Sequence, residues 1–148
     1  MLKLPPPAWA LIYVLAAAAI SWLAGWPTVP WLHSPPIGAA LFVLGWAPAI
    51  WAVVLFRREG TQLNPTSPAN EKLVTAGPFR FTRNPMYLAL VLITLGIAIW
   101  VGSWPMFLAP AASFITSNWV HIPFEEAKMR RQFGDAFDAY TERVRRWV

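Results

Sequence analysis

Two long apolar stretches alternate with two polar blocks along the chain. Residues 4–56 and 84–124 contain no Asp, Glu, Lys or Arg, and every charged residue except Lys3 falls within 57–83 or 125–148. A water-exposed surface needs charged groups spread along the sequence, so this segregation excludes an ordinary soluble domain. The pattern predicts an all-α, polytopic membrane protein that forms a single domain over residues 1–148.

Turn signals divide the apolar stretches into four predicted transmembrane helices. A run of about 20 apolar residues covers a hydrocarbon core of about 30 Å. The predicted spans are residues 8–25, 37–56, 85–101 and 106–122, with a cytoplasmic loop at 57–84 and a cytoplasmic tail at 123–148. The first span could also be a cleaved signal peptide, but its length favours a helix that stays in the membrane.

The distribution of Lys and Arg predicts the orientation. With four spans, Lys3, the 57–84 loop and the tail lie on one side of the membrane, which the positive-inside rule makes the cytoplasm. The other two connections are uncharged and carry the Trp residues of an interfacial belt, Trp26, Trp31, Trp100 and Trp104. We therefore expect an integral protein of a prokaryotic-type inner membrane, with both termini and the active site cytoplasmic.

The tail has the periodicity of an amphipathic cytoplasmic helix. Its apolar residues recur at steps of four and three, namely Phe133, Phe137, Tyr140, Val144 and Trp147. Gly134 predicts a break, after which Asp135 would cap a second helix. Two ion pairs are expected within the tail, Glu126–Arg130 and Glu142–Arg146. The helix could lie on the membrane or fold over the 57–84 loop, and the pattern does not choose between them.

Charge and composition limit the classes of molecule that the protein is expected to bind. The net charge is +5, but the basic residues interleave with acids and flank the spans, which favours anionic membrane lipids over nucleic acid. The chain has no Cys and two His, so we expect neither a disulfide framework nor a metal site.

The first candidate for chemistry lies where the polar loop enters the third span. Gly77-Pro78 predicts a turn, and Asn84-Pro85 predicts a helix N-cap followed by Pro at the first helical position. As purely structural features, these are a turn and a cap, with Arg80 and Arg83 as interfacial anchors. A helix N-terminus at this place also offers free N–H groups and a positive dipole to an anionic ligand.

The second candidate lies at the end of the fourth span, where a Pro-initiated helix is predicted to carry Glu125 and Glu126 in its first turn. Glu126 has a local Arg partner, but Glu125 has no Arg at the same spacing, and an unpaired carboxylate in the interface is costly. We expect Glu125 to pair with Arg83 or Arg80, or with a cationic or hydroxyl-bearing ligand. His121 lies one turn earlier on the same face.

Together the two motifs resemble the isoprenylcysteine carboxyl methyltransferase family and its phospholipid N-methyltransferase relatives. The matching residues are Gly77–Tyr87, Glu125-Glu126, Phe133-Gly134, Tyr140 and Arg143–Arg145, so the resemblance covers roughly residues 64–148. These families are small integral membrane enzymes. The resemblance implies S-adenosyl-L-methionine as cofactor and a lipophilic small-molecule or lipidated acceptor within the membrane, whose reacting group (carboxylate, thiol or amine) stays open.

The resemblance also implies site residues. The implied cofactor-binding residues are Glu71, Lys72, Leu73, Val74, Phe79, Asn84, Pro85, Met86, Tyr87 and Glu125. His121 and Arg83 are the candidate catalytic residues, with His121 as general base if the acceptor is protonated. Two positions depart from the family pattern. Asn84 stands where better-known members have His, and His121 stands where eukaryotic members have Arg, so a permanent positive charge is missing there.

Two alternatives remain at this point. The first is an NADPH-dependent membrane reductase related to sterol reductases, although those chains generally have many more spans. The second is a non-enzymatic membrane subunit in which the polar motifs are only caps and anchors. The oligomeric state also stays open, including dimerisation through the faces of Gly25, Gly38 or Gly45.

Overall fold

The computed structural model describes residues 4–60 and 72–148, and these residues are mostly α-helical. The helices are α1 (Pro6–Leu23), α2 (Pro35–Arg58), α3 (Pro85–Val101), α4 (Leu108–Thr116), α5 (Ile122–Phe133) and α6 (Asp135–Arg143), with short 3-10 turns at Pro30–Leu32, Gly77–Arg80 and Trp104–Phe107. The all-α prediction is confirmed, and α3 has the predicted bounds.

The residues at the ends of the first three helices are ones that favour helix termini. Each has Pro in its first turn, where the missing N–H would have no partner within the helix. The last turn of α2 carries Arg57 and Arg58, which complement the negative end of the helix dipole. Gly102 ends α3 in the left-handed conformation, with φ of 71°, which Gly adopts without steric cost.

α4 and α5 form one continuous helical rod. A wide π-turn at Ser117–His121 joins them, and the Ile122 N–H donates to the Ser117 carbonyl within it. In a regular α-helix the Pro123 ring would clash with the carbonyl four residues earlier, and the wide turn directly before it relieves this conflict. The predicted separation of two helices at Ile122 and Pro123 is thus replaced by a continuous rod that runs to Phe133, and the end of the fourth span at residue 122 stays a prediction.

Among the described residues, two helical segments are long and apolar enough to cross a membrane, Pro6–Leu23 and Pro30–Arg58. α3 is similarly apolar but has 17 residues. Helix length therefore does not confirm the predicted count of four spans.

α2 and α3 pack backbone against backbone. A Cβ added to Gly38 would lie 2.5 Å from the backbone nitrogen of Trp100, and one added to Gly96 would lie 2.6 Å from the backbone nitrogen of Phe42. A Cβ on Gly45 would lie 2.9 Å from the Ile93 side chain. The faces of Gly38 and Gly45, left open above for dimerisation, are thus used within the chain.

The two uncharged connections meet at one end of the molecule. Thr28 and Ser103 form an antiparallel bridge, and the Val29 N–H donates to the Gly102 carbonyl at 2.9 Å. The four Trp residues predicted to share an interface are exposed in these connections and beside them: Trp26, Trp31, Trp100 and Trp104.

The tail folds over the polar loop, which resolves the alternative left open above. Phe137 and Tyr140 of α6 pack with Val74, Phe79 and Ala52 in one buried apolar cluster, and Phe133 and Val144 pack against it. The Tyr140 hydroxyl donates to the Phe79 carbonyl at 2.7 Å.

The predicted helix break at Gly134 is confirmed, with φ of 50° between α5 and α6. Asp135, however, is the first residue of α6 and not its cap, because Gly134 occupies the N-cap position. Trp147 leaves the apolar stripe, and its ring lies 4.8 Å from that of Phe114 on α4. The tail thus touches both the loop and the α4–α5 rod.

Candidate functional site

The centre of the site is a cluster of Tyr87, His121 and Glu125. Tyr87 lies in the first turn of α3, His121 at the end of the π-turn and Glu125 in the first turn of α5. The Tyr87 hydroxyl donates to Glu125 Oε1 at 2.6 Å. The Tyr87 and His121 rings stack with centroids 6.1 Å apart and an interplanar angle of 20°. Two separate sequence motifs therefore meet at Tyr87.

The Glu125 carboxyl group is only partly accessible to solvent. Burial raises the pKa of Glu125 above its ordinary value, and the hydrogen bond from Tyr87 opposes that rise. The predicted pairing with Arg83 or Arg80 is wrong, because a phenol from α3 occupies the position expected for an arginine. A neutral donor does not cancel the negative charge of the ionised carboxylate, although the positive charge of Lys128 also lowers the pKa of Glu125.

Arg83 binds the neighbouring acid. Its Nη2 donates to Glu126 Oε1 at 3.0 Å, and its Nη1 donates to the Thr141 carbonyl at 3.1 Å. Arg146 approaches Glu126 from the other side, with Nη2 donating to Oε2 at 2.6 Å. We call Arg83, Glu126 and Arg146 the tail anchor. The Arg83 Nε is buried without a hydrogen-bond partner among the described residues.

The tail anchor replaces both ion pairs predicted within the tail. Arg130 donates from Nε to Asp138 Oδ1 at 2.7 Å, across the break between α5 and α6. Arg146 lies beyond the end of α6, so it reaches Glu126 and not Glu142. The prediction Glu126–Arg130 is wrong although both residues lie in α5, because Arg83 and Arg146 bind Glu126 and Asp138 binds Arg130. The prediction Glu142–Arg146 is wrong because α6 ends at Arg143.

Asn84 occupies the predicted N-cap position of α3, but its side chain does not cap the helix. Its Nδ2 donates to the Arg146 carbonyl at 2.9 Å, and the Thr82 hydroxyl donates to the same oxygen at 3.1 Å. The Arg83 N–H donates to the Arg145 carbonyl at 3.0 Å. This part of the loop therefore binds the end of the tail.

Most of the other implied cofactor residues are apolar and do not belong to the Tyr87–His121–Glu125 cluster. Leu73, Val74, Phe79 and Met86 belong to the apolar cluster that the tail covers, and Pro85 is buried at the start of α3. Lys72 is exposed and pairs with Glu59. Glu71 lies outside the described residues. The structure thus divides the implied set into a polar cluster and an apolar wall.

Some residues of this region were not found from the sequence. Arg146 and Asn118, which share a contact at 3.4 Å between Nη1 and Oδ1, approach each other only because the tail folds back. Tyr13 on α1 also lies beside His121. The sequence signal that could have identified Tyr13 was its polar hydroxyl group in a mostly apolar span.

The fold and this site define a class, namely a helical protein with helices of membrane-spanning length and a polar cluster where helices meet a loop. The sequence matches the phospholipid methyltransferase family over residues 35–136, more than half of the chain, so the chain belongs to that family. This confirms the resemblance carried by the two motifs. The family supports methyltransferase activity on membrane substrates, and with the apolar helices it supports a membrane location.

One relative is an uncharacterised protein of Haemophilus influenzae. It is 35% identical over 63 residues, which make up 43% of this chain and 100% of that protein. No solved structure matches the chain.

Proposed function

We propose that the protein transfers a methyl group from S-adenosyl-L-methionine to a lipophilic acceptor embedded in the membrane. In this proposal both termini and the active site face the cytoplasm, across a prokaryotic-type inner membrane. The observation that carries the proposal is Glu125, a partly buried acid whose hydrogen-bond donor is the neutral Tyr87 hydroxyl, in a chain of the phospholipid methyltransferase family.

The chemistry of the residues fits this cofactor. S-adenosyl-L-methionine carries a sulfonium cation, a carboxylate and an aromatic base. Glu125 offers a negative charge to a cation, Tyr87 offers an aromatic ring, and the buried Arg83 Nε offers a donor to a carboxylate. When bound, the cofactor supplies an electrophilic methyl group.

Within this proposal each residue of the cluster has a distinct task. Tyr87 holds the Glu125 carboxyl group in place, and a bound cation favours the ionised form of Glu125. His121 Nε2 would take the proton that a hydroxyl, thiol or amine acceptor loses as its lone pair displaces the sulfur from the methyl carbon, and the electron pair of the broken bond would stay on the sulfur of S-adenosylhomocysteine. Alignment of the two reactants contributes most to the rate, since positioning can lower the activation free energy by about 7–11 kcal/mol.

The tail covers the apolar wall, whose residues the proposal places at the cofactor. Leu73, Val74, Phe79 and Met86 contact the tail residues Phe137 and Tyr140 or lie in the same cluster. The cavity beside His121 has a volume of about 10 Å³, which is far too small for a nucleoside. Because Phe137 and Tyr140 of the tail cover the apolar wall, we propose that the tail moves away from the loop when the cofactor enters from the cytoplasm.

Thermal unfolding of the detergent-purified chain with and without S-adenosylhomocysteine tests the cofactor. A ligand at about 100 times its dissociation constant stabilises the folded state by about 2.7 kcal/mol. We expect a rise in unfolding temperature with S-adenosylhomocysteine but not with NADPH, and loss of that rise in Glu125→Gln, which removes charge but keeps shape.

Glu142→Gln is the matched control, because Glu142 is an exposed acid of α6. It should keep the full response to S-adenosylhomocysteine. Absence of any response at millimolar ligand would overturn the proposal, and a response to NADPH alone would favour the reductase.

A labelling experiment identifies the chemical group that accepts the methyl group. The purified chain is incubated with radioactive S-adenosyl-L-methionine and a total lipid extract, and the lipid product is then treated with base. Methyl esters release methanol under these conditions, whereas thioethers and N-methyl groups keep the label. Radioactivity that stays in the aqueous phase in every extract would contradict a lipophilic acceptor.

A further inference from the structure

A small polar cavity lies beside His121, where α1 and α3 pack against the α4–α5 rod. Its volume is about 10 Å³. Tyr13 of α1, Ser113 of α4 and His121 of the π-turn line it, and Trp9 and Leu90 supply apolar walls. The Ser113 and His121 residues are only 4% exposed.

Three polar atoms at this cavity lack partners. The Tyr13 hydroxyl, the Ser113 hydroxyl and His121 Nε2 are buried and have no hydrogen-bond partner among the described residues. Nearly all buried polar groups in folded proteins are hydrogen-bonded, so each exception calls for an explanation. Here the three exceptions come from three separate elements and line the same space.

The lining defines what the cavity can accept. A volume of about 10–15 Å³ accommodates one water-sized group. Hydroxyls both donate and accept, and the unprotonated nitrogen of a neutral imidazole accepts. The described residues around the cavity include no charged side chain, so a charged group would be left without a counter-ion. The fitting group is therefore small, uncharged and able both to donate and to accept hydrogen bonds.

We propose that this cavity binds the uncharged polar end of a lipophilic ligand, a hydroxyl or a neutral amine on an apolar chain, and places it against His121. The inference rests on the proposed function and identifies this ligand as the methyl acceptor. The His121 ring stacks on Tyr87, which binds Glu125, so the bound group lies close to the proposed cofactor site. Tyr13 and Ser113 then act as residues that position the acceptor.

Thermal unfolding of the detergent-purified full chain tests this site, with 1-decanol as the probe. We expect decanol to raise the unfolding temperature. Decyltrimethylammonium, which has the same chain but a charged head without a donor, should not. Tyr13→Phe and Ser113→Ala each remove one hydrogen bond to the probe, so the decanol concentration that gives a half-maximal shift should rise about fivefold.

The same two variants separate binding from folding. Each removes a hydroxyl that has no described protein partner, so without the probe the unfolding temperature should stay unchanged or rise slightly. Ser103→Ala is the matched control, because the equally buried Ser103 hydroxyl donates to the Ser21 hydroxyl at 3.2 Å. This control should lower stability and leave the decanol response intact.

Even where decanol raises the unfolding temperature, two outcomes would overturn the site. One is a lower unfolding temperature in Tyr13→Phe and Ser113→Ala with an unaltered decanol response, which would assign the cavity to a structural water. The other is an equal response to decanol and decyltrimethylammonium. A separate arm with S-adenosylhomocysteine distinguishes the two proposals. A response to S-adenosylhomocysteine alone would overturn this site but keep methyl transfer, and a response to decanol alone would support this site and overturn methyl transfer.

Discussion

The neighbouring acids of α5 belong to two regions with opposite electrostatics. Glu126 in the tail anchor lies between Arg83 and Arg146, with contacts of 3.0 and 2.6 Å, so opposite charges meet there. Glu125, one residue away, receives a hydrogen bond from a neutral phenol, and the nearby His121 Nε2 has no described partner. The tail anchor has its charges paired. The region around Glu125 holds a polar group, His121 Nε2, whose hydrogen-bonding capacity is unused among the described residues.

The difference separates a structural role from a chemical one. A carboxylate held by two guanidinium groups contributes to stability and gains nothing from a further ligand. A partly buried carboxyl group with a raised pKa is costly to ionise until a cation arrives. We therefore expect changes in the tail anchor to alter stability first, and changes around Glu125 to alter ligand binding first.

The largest effect on stability should come from Glu126→Gln. The variant leaves Arg83 and Arg146 without their counter-ion, and the Arg83 and Glu126 side chains are only 14% and 15% exposed. Breaking a fully buried pair costs about 3–5 kcal/mol, so we expect a loss of about 2–3 kcal/mol at this partly exposed site. Chemical denaturation in mild detergent measures it, with Glu142→Gln as the unaffected control. A loss equal to that in Glu125→Gln would abolish the distinction between the two acids.

A smaller effect should appear in the pH dependence. Burial raises the pKa of Glu125 in the folded protein above its ordinary value of 4.5. The folded state then binds more protons than the unfolded state, so stability falls as the pH rises from 4.5 through the raised pKa. Glu125→Gln removes this loss. We expect its stability relative to the original chain to increase over that range, with a slope of at most about 1.4 kcal/mol per pH unit.

Unfolding free energies of both proteins at matched pH values measure the difference, so the titration of other groups largely cancels. A stability difference that is flat with pH would show that Glu125 titrates as an ordinary exposed acid. The opposite slope would mean that the positive charge of Lys128 outweighs burial at Glu125, which would remove the contrast with Glu126.

The smallest effect should come from Tyr140→Phe in α6, which covers the apolar wall. Its hydroxyl donates to the Phe79 carbonyl at 2.7 Å, and burial raises the pKa of Tyr140 to about 12, so the donor stays protonated at neutral pH. Loss of one such bond costs about 1 kcal/mol. We expect this modest loss in Tyr140→Phe and no loss in Tyr13→Phe, whose hydroxyl has no described protein partner. Equal losses would show that Tyr13 is satisfied in solution.

The sequence was sufficient for features that depend on composition and local signals. Apolar runs bounded by Pro predicted α1, α2 and α3, and Gly134 predicted the break in the tail. The two motifs predicted the family, and the stack of His121 on Tyr87 brings their residues together.

Contacts that depend on the path of the tail were beyond the sequence. The pairing of Arg146 with Glu126, and of Asn84 with the Arg146 carbonyl, requires α6 to fold back over the loop. Local rules instead favoured pairs at helical spacing and a side-chain cap, both sound for an isolated helix. Ser113 likewise reads as an ordinary small residue of a span, because a cavity depends on three elements at once.

The π-turn at Ser117–His121 also sets the angular phase of everything that follows it. A wide turn holds an extra residue, and each residue of a regular helix advances by about 100°, so later side chains lie roughly one position behind regular counting. Counted without that lag, Phe124 would point where Glu125 does, and Glu125 would point toward the arginines. The extra residue thus places Glu125 against the neutral phenol and Glu126 between the two cations. Without that residue Glu125 would join the tail anchor and an apolar ring would face the phenol, so the acid that we propose for the cofactor would be lost.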